Sequence, residues 1–211
     1  MLANETVYMS HLNFPRILKY LSLLFLDKLF NAFATHMFVD RKSKRSKFFL
    51  MAFITQEQNH QILLAFWKKL KSITKLTFIS QTYSNDEKGW NGQGRGEVKV
   101  TKQSHTLLIF DERGTWHNQQ GMQFNFYNVY QWGLDLKACR ISLEHLRQGA
   151  SRPIFLLHLV PSNPHLLSSL NSYFCKQDIY SGKVYFEPFG FQLAWRIKGP
   201  RKDEQIDYSY F

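Results

Sequence analysis

Cysteine is scarce: Cys139 and Cys175 are the two in 211 residues. Two thiols outside any Cys-x-x-Cys do not make a disulfide framework. They read as the thiols of a reduced, cytoplasmic protein. Long apolar runs are missing as well. The best stretch, residues 17–26, is broken by Lys19 and closed by Asp27 and Lys28, whereas a membrane-spanning helix needs ~20 apolar residues. Ala32-Phe33-Ala34 has the small-x-small look of a secretory cleavage site, but the charges at Asp27 and Lys28 separate it from the apolar run, which argues against a signal peptide. No Gly-x-Ser-x-Gly occurs, and none of the eight histidines stands in a His-x-x-x-His. Neither a serine-hydrolase elbow nor a helical zinc pair is therefore offered.

Rings and positive charge are present in quantity. The chain carries 19 Phe, 10 Tyr and 5 Trp, and 44% of its residues are hydrophobic. Such a chain has the material for a core and is not a disordered one; so many rings also favour strands. The formal charge is +11, which attracts nucleic acid, acidic lipid or acidic protein. Much of it lies early. Residues 1–50 hold eight cations against Glu5, Asp27 and Asp40, including the acid-free run Arg41, Lys42, Lys44, Arg45 and Lys47. That run reads first as a solvated linker and second as an arm for nucleic acid or an anionic membrane.

The pattern divides the chain into a basic, partly helical extension (residues 1–50) and a folded domain (residues 51–211). Met51 directly precedes the domain and is a second candidate start for the natural product. Within residues 58–72, Ile62, Leu63, Phe66 and Leu70 recur at helical spacing, predicting a short helix against a barrel end. From Thr74 the period becomes two. Cys139, Ile141, Leu143 and His145 alternate with polar residues, as do Phe191, Leu193, Trp195 and Ile197. Strands are expected near 74–83, 95–102, 105–113, 121–131, 137–145, 153–160, 182–187, 191–198 and 204–210. Residues 162–178 are the long exception, with a helical turn expected near 166–173. Short strands joined by short connections predict a mainly β fold, a single antiparallel barrel of about eight or nine strands with a leading helix.

The glycine-rich stretch Gly89-Trp-Asn-Gly92-Gln-Gly94-Arg-Gly96 precedes a strand rather than a helix and lacks a following Lys-Ser/Thr. It is read as a flexible hairpin loop or barrel lip with a Trp lid, not as a phosphate cradle. His145 and His158 fall on neighbouring expected strands and converge inside a barrel if both point inward. Neither has a carboxylate at ligand spacing, so no metal or haem is assigned. No catalytic residue is assigned either; Asp178, His145 and His158 are the acid–base candidates to test. Arg196 and Lys202, beside the Gly199-Pro200 turn, either meet an anionic head group or pin the last hairpin.

The order of features resembles the family known as domain of unknown function 6314, over roughly residues 60–211. The resemblance rests on Phe66-Trp67, Gly92–Gly96 and Phe110-Asp-Glu-Arg-Gly-Thr-Trp116. It continues through Tyr127, Tyr130 and Trp132, then Ile141-Ser-Leu-Glu-His145 and Phe155-Leu-Leu-His158. Its most specific parts are Cys175-x-x-Asp178-x-Tyr180 and Gly199-Pro-Arg-Lys-Asp203, followed by Tyr208-Ser-Tyr210. Tyr173-Phe174-Cys175 replaces a His-Leu-Cys step of the family, and the leading segment lacks a Gly-x-Trp. The resemblance implies a lipocalin-like (calycin-type) barrel and no reaction. The function expected is therefore binding of a small apolar or amphipathic ligand, an anionic one included, inside the barrel. The side chains expected to orient it are Tyr127, Tyr130, Arg140, His145, His158, Asp178, Tyr180, Trp195, Arg196 and Lys202. The alternatives are association with nucleic acid or an anionic membrane through the leader, and an enzyme using the barrel as its pocket. No cofactor is expected.

Overall fold

The computed structural model describes residues 43–83 and 90–211. A helix, α1 (Ser43–Leu70), precedes eleven strands: β1 (Lys75–Thr82), β2 (Gly92–Lys102), β3 (Leu107–Asn118), β4 (Gln123–Asp135), β5 (Arg140–His145), β6 (Ile154–Asn163), β7 (Leu166–Ser169), β8 (Tyr173–Cys175), β9 (Asp178–Glu187), β10 (Gly190–Gly199) and β11 (Lys202–Tyr210). Most of the basic leader lies outside the described residues, Arg41 and Lys42 among it. Residues 43–47 do not form the linker expected of them; they are the first turn of α1. Residues 54–211 make one compact unit. Among the described residues no helix is long and apolar enough to cross a membrane.

Every ladder is antiparallel, and the ring runs β10-β11-β1-β2-β3-β4-β5-β6-β7-β9 before β9 pairs again with β10. Ten strands thus close a barrel, correcting the expected eight or nine. The difference comes from residues 162–178, where strands replace the expected helical turn. β7 and β8 pair with successive lengths of the same side of β9, Ser168 opposite Lys183 and Tyr173 opposite Tyr180. Four- and three-residue strands are too short for a period of two to register, and in β7 only Leu167 is sealed from water. Phe211, just past β11, helps close the ring: the Thr74 and Lys75 amides donate to Phe211 O at 3.0 and 2.8 Å.

Alternation decides what fills the barrel. Leu76, Leu108, Phe110, Trp132, Ile141, Leu143, Leu157, Leu159, Val184, Phe191 and Leu193 all point inward and are at most 2% exposed. The lower end, where β1 begins and β10 begins, is stoppered by α1. Leu63, Phe66 and Leu70 are fully buried, and the Phe66 ring lies 5.4 Å from Phe186, 5.1 Å from Phe191 and 5.9 Å from Trp132. Two polar bonds fix the plug. Trp67 Nε1 donates to His105 O at 3.1 Å, and Lys69 Nζ donates to Glu187 O at 2.7 Å.

The glycine-rich segment is not a loop or lip from Gly92 onward. It is the inward face of β2, with Gly96 opposite Gly114 of β3. The reason is ring volume. A Cβ at Gly94 falls within the Phe78 ring, and one at Gly114 falls 2.7 Å from the Phe126 ring. The bare backbone lets both rings lie against the wall, 5.4 Å apart and nearly perpendicular.

Candidate functional site

Above the sealed layer the barrel interior changes character. Phe78, Phe126, Tyr130 and Ile206 point inward yet stay half-buried, so water reaches this upper half. Phe78 sits 5.0 Å from Tyr208, and at the open end Trp116 lies 5.5 Å from both Trp90 and Phe124. The upper half, called the chamber below, is thus lined with rings and stoppered below by α1, and its burial is uneven: Ser80, Trp195 and Ile197 at these heights are at most 8% exposed.

At the floor of that chamber stands Glu112, with no solvent exposure. It continues the inward row Leu108, Phe110, Glu112, Gly114 of β3, one polar side chain on an otherwise apolar face. Tyr210 donates its hydroxyl to Oε1 at 2.9 Å, while Oε2 is buried with no hydrogen-bond partner among the described residues. Burial disfavours the charged form and pushes the carboxyl up to about 8; the Tyr210 bond and the nearby Asn128 amide act the other way. Burial also holds the Tyr130, Tyr208 and Tyr210 hydroxyls above their ordinary range, and Glu112 adds to each shift.

A polar path leads from this acid toward the open end. Asn128 is the cross-strand neighbour of Glu112 on β4. Its Oδ1 lies 3.5 Å from His145 Nε2, and His145 Nδ1 accepts the Arg147 amide at 2.9 Å. That amide fixes the tautomer: Nδ1 is an acceptor, so the proton sits on Nε2 and faces Asn128. Burial first, and then the Arg147 charge, lower the His145 pKa, so the imidazole is held neutral. Tyr130 packs its ring edge-on to His145 at 4.8 Å. Tyr210–Glu112 and Asn128–His145 are thus two hydrogen-bonded pairs, with the Tyr130 and Tyr208 rings packed beside them.

The ten expected ligand residues divide by face. Tyr130, His145 and Trp195 point into the chamber, and Asp178, Tyr180 and Lys202 sit on inward rows at its rim. Tyr127, Arg140, His158 and Arg196 point outward. Tyr127 is 57% exposed beneath the Arg113 guanidinium. Arg140 pairs with Asp135 at 3.7 Å, and His158 packs on Phe155 at 4.6 Å. His145 and His158 therefore do not converge: neighbouring strands present them on opposite faces, with Leu157 and Leu159 taking the inward positions. Arg196 makes an ion pair with Asp203, donates to Glu204 O at 2.8 Å and covers the Tyr83 ring. It pins the last hairpin rather than facing the chamber. Sequence reasoning missed Glu112, Asn128, Tyr208 and Tyr210. The available signal was an acid at an apolar-phase position of β3.

The two most specific sequence motifs meet at the rim. Asp178 of β9 and Lys202 of β11 flank Gly199 of β10, and Lys202 Nζ donates to Asp178 Oδ2 at 2.7 Å. The bridge crosses three strands because Gly199 has no side chain; a Cβ there falls on Asp178 Oδ1. The Asp178 hydrogen bond raises the Lys202 pKa. The pair is partly exposed, so Asp178→Asn is expected to cost at most about 1 kcal/mol in urea unfolding. Gly199→Val, which puts bulk between the partners, is expected to cost about 1–3 kcal/mol. Equal losses for the two substitutions would deny the spacer role of Gly199.

Two other features do not compete with the chamber. On the outer wall, a depression of about 560 Å³ is lined by Lys75, Thr77, Arg95, Glu97, Arg113 and Thr115, among others. It mixes both charge signs, and Arg113 is already held by Asp111 at 2.9 Å. Among the described residues no three His, Cys, Asp or Glu side chains are grouped to hold a metal ion.

Comparison with known proteins gives one match. The model of a family of unknown function (DUF6314) covers residues 77–211, beginning within β1 and leaving α1 outside it. No curated protein and no solved structure matches.

Proposed function

The chain belongs to the family of unknown function DUF6314, and from that premise we propose that its barrel binds one small, apolar or amphipathic molecule in the upper chamber, a lipocalin-like use of a closed barrel. The observation that carries this reading is the change in burial along one inward face. Phe110, Trp132 and Phe191 are at most 1% exposed, whereas Phe78, Phe126, Tyr130 and Ile206, higher in the same barrel, remain half-buried although Ser80, Trp195 and Ile197 beside them are closed to water. Rings left open to water inside a barrel favour a guest that covers them. The polar end of such a guest has Asn128, His145 and Glu112 to meet. The described chamber floor presents no cation, which favours an uncharged guest over an anionic one.

Native mass spectrometry of the full chain from its own source tests the reading directly; a reproducible bound small molecule is expected. A second test needs no knowledge of the guest. An apolar fluorescent probe is titrated against the natural protein and against Ile206→Trp, which fills the chamber from β11. Saturable binding is expected, with a loss of about tenfold or more in the variant, the size of effect one indole blocking an apolar site gives. An apo mass together with equal probe binding by both proteins would mean that the barrel is filled by its own side chains.

A further inference from the structure

The open end of the barrel has a composition that ligand binding does not require. The antiparallel ring places five connections there: β1 to β2, β3 to β4, β5 to β6, β8 to β9 and β10 to β11. Large apolar side chains stand exposed on or beside them: Trp90 at 62%, Met122 at 55%, Phe124 at 47% and Phe174 at 66%. On or beside the connections at the stoppered end (β2 to β3, β4 to β5, β6 to β7 and β9 to β10) the exposed Phe rings are Phe189 and Phe211. Isolated exposed apolar residues are ordinary; a ring of them around one opening marks a contact surface.

Charge says what kind of surface. Arg147 and Arg152 lie exposed on the β5 to β6 connection, Lys176 on β8 to β9 and Arg201 on β10 to β11. None of the four is in an ion pair among the described residues. Of the described acids at this rim, Asp178 is engaged by Lys202 and Asp203 by Arg196, and Glu204 is half-buried on the inward row of β11. Residues 84–89 lie outside the described residues. Unpaired guanidinium and ammonium groups interleaved with Trp, Phe and Met match an anionic bilayer surface. Cations meet head groups there while rings enter the interfacial layer. A basic patch for nucleic acid would not need Met122 and Phe174 unpaired beside it.

We propose that the open rim of the barrel docks on anionic lipid membranes, with Trp90, Met122, Phe124 and Phe174 inserting at the interface and Arg147, Arg152, Lys176 and Arg201 holding the head groups. Trp90 and Phe124 also border the chamber mouth, so the charge variants, which lie outside it, are what separate this contact from the ligand-binding reading.

The test is co-sedimentation of the full chain with phosphatidylcholine vesicles, with and without phosphatidylserine. Binding is expected only when phosphatidylserine is present, and it is expected to weaken as salt rises. Arg147→Gln with Arg152→Gln should lower the affinity about fivefold for each charge removed. Trp90→Ser with Phe174→Ser should lower it as well. All four positions are exposed, and unchanged thermal unfolding will show that the fold is intact. A leader variant, Lys44→Gln with Arg45→Gln and Lys47→Gln, separates the other basic segment. The rim effects should persist in that background. The proposal is overturned if the natural protein ignores phosphatidylserine vesicles, or if both rim variants bind as it does while the leader variant does not.

Discussion

Replacing Glu112 with Gln should stabilise the protein at alkaline pH by on the order of 5 kcal/mol, and hardly at all near pH 4.5. The sign follows from proton counting. The carboxyl ionises near its ordinary 4.5 in the unfolded chain and near 8 in the folded barrel. Between those values the folded state keeps a proton that the unfolded state has lost. Stability therefore falls as pH rises, by about 1.4 kcal/mol per pH unit, until the folded pKa is passed and the fall ends. Glutamine keeps an acceptor for Tyr210 and has no charge to bury. The difference between variant and natural protein isolates this effect. His145 and His158, whose pKa values are lowered by burial, bias stability in the opposite direction, upward with pH through their titration, and they cancel in the difference. Thermal unfolding at half-unit steps from pH 5 to 9 would show it as a gap in Tm that widens to on the order of 10 °C and then levels. A gap that stays constant across that range would mean that Glu112 is not buried as an acid. The natural protein bears this cost at neutral pH for a side chain whose Oε2 has no direct hydrogen-bond partner among the described residues.

The same acid shows where the sequence is legible and where it is not. Alternation in residues 137–145 and 191–198 declares its inward face, because one phase is apolar and the other polar, and a single slip of register would expose the whole set. In β4 both phases carry rings: Phe124, Phe126, Tyr130 and Trp132 face in, while Tyr127 faces out. A count of aromatics therefore places Tyr127 in the pocket when it lies on the outer wall. For Glu112 the inference runs the other way. Its sequence neighbours Asp111 and Arg113 do pair at the surface, so Asp-Glu-Arg reads as a solvated cluster until the row Leu108, Phe110, Glu112 is followed by phase. Tyr208 and Tyr210 hide for a different reason. Both lie on β11, and Tyr210 meets Glu112 from 98 residues further along the chain, so nothing local records that closure. The rim is intermediate: Asp178-x-Tyr180 and Gly199-Pro-Arg-Lys202 stand out singly, and only the β9–β10–β11 register makes them one bridge. Phase thus recovers the strands, while ring closure, a long-range property, creates the chamber.

Closure also explains why α1 should matter more than its place outside the matched family region suggests. Phe66→Ala is expected to cost about 3–5 kcal/mol, the range for deleting a buried Phe side chain, and to lower Tm by roughly 10 °C. Phe66 is fully buried and touches rings from β4, β9 and β10, so its removal opens a void shared by three strands that cannot collapse together without breaking their ladders. A surface helix resting on the barrel would lose far less. Urea unfolding followed by intrinsic fluorescence reads both consequences, because Trp132 lies 5.9 Å from Phe66 and reports water entering from below. The expected record is one cooperative transition at lower urea with native emission shifted to the red. A loss under about 1 kcal/mol, smaller than any buried Phe truncation in that range, would mean that α1 is not the stopper. The sealed lower layer would then have to be held by the strands alone. If the cost is as large as the packing implies, the helix is what keeps the lower layer dry, and Glu112 stands at the upper edge of that layer.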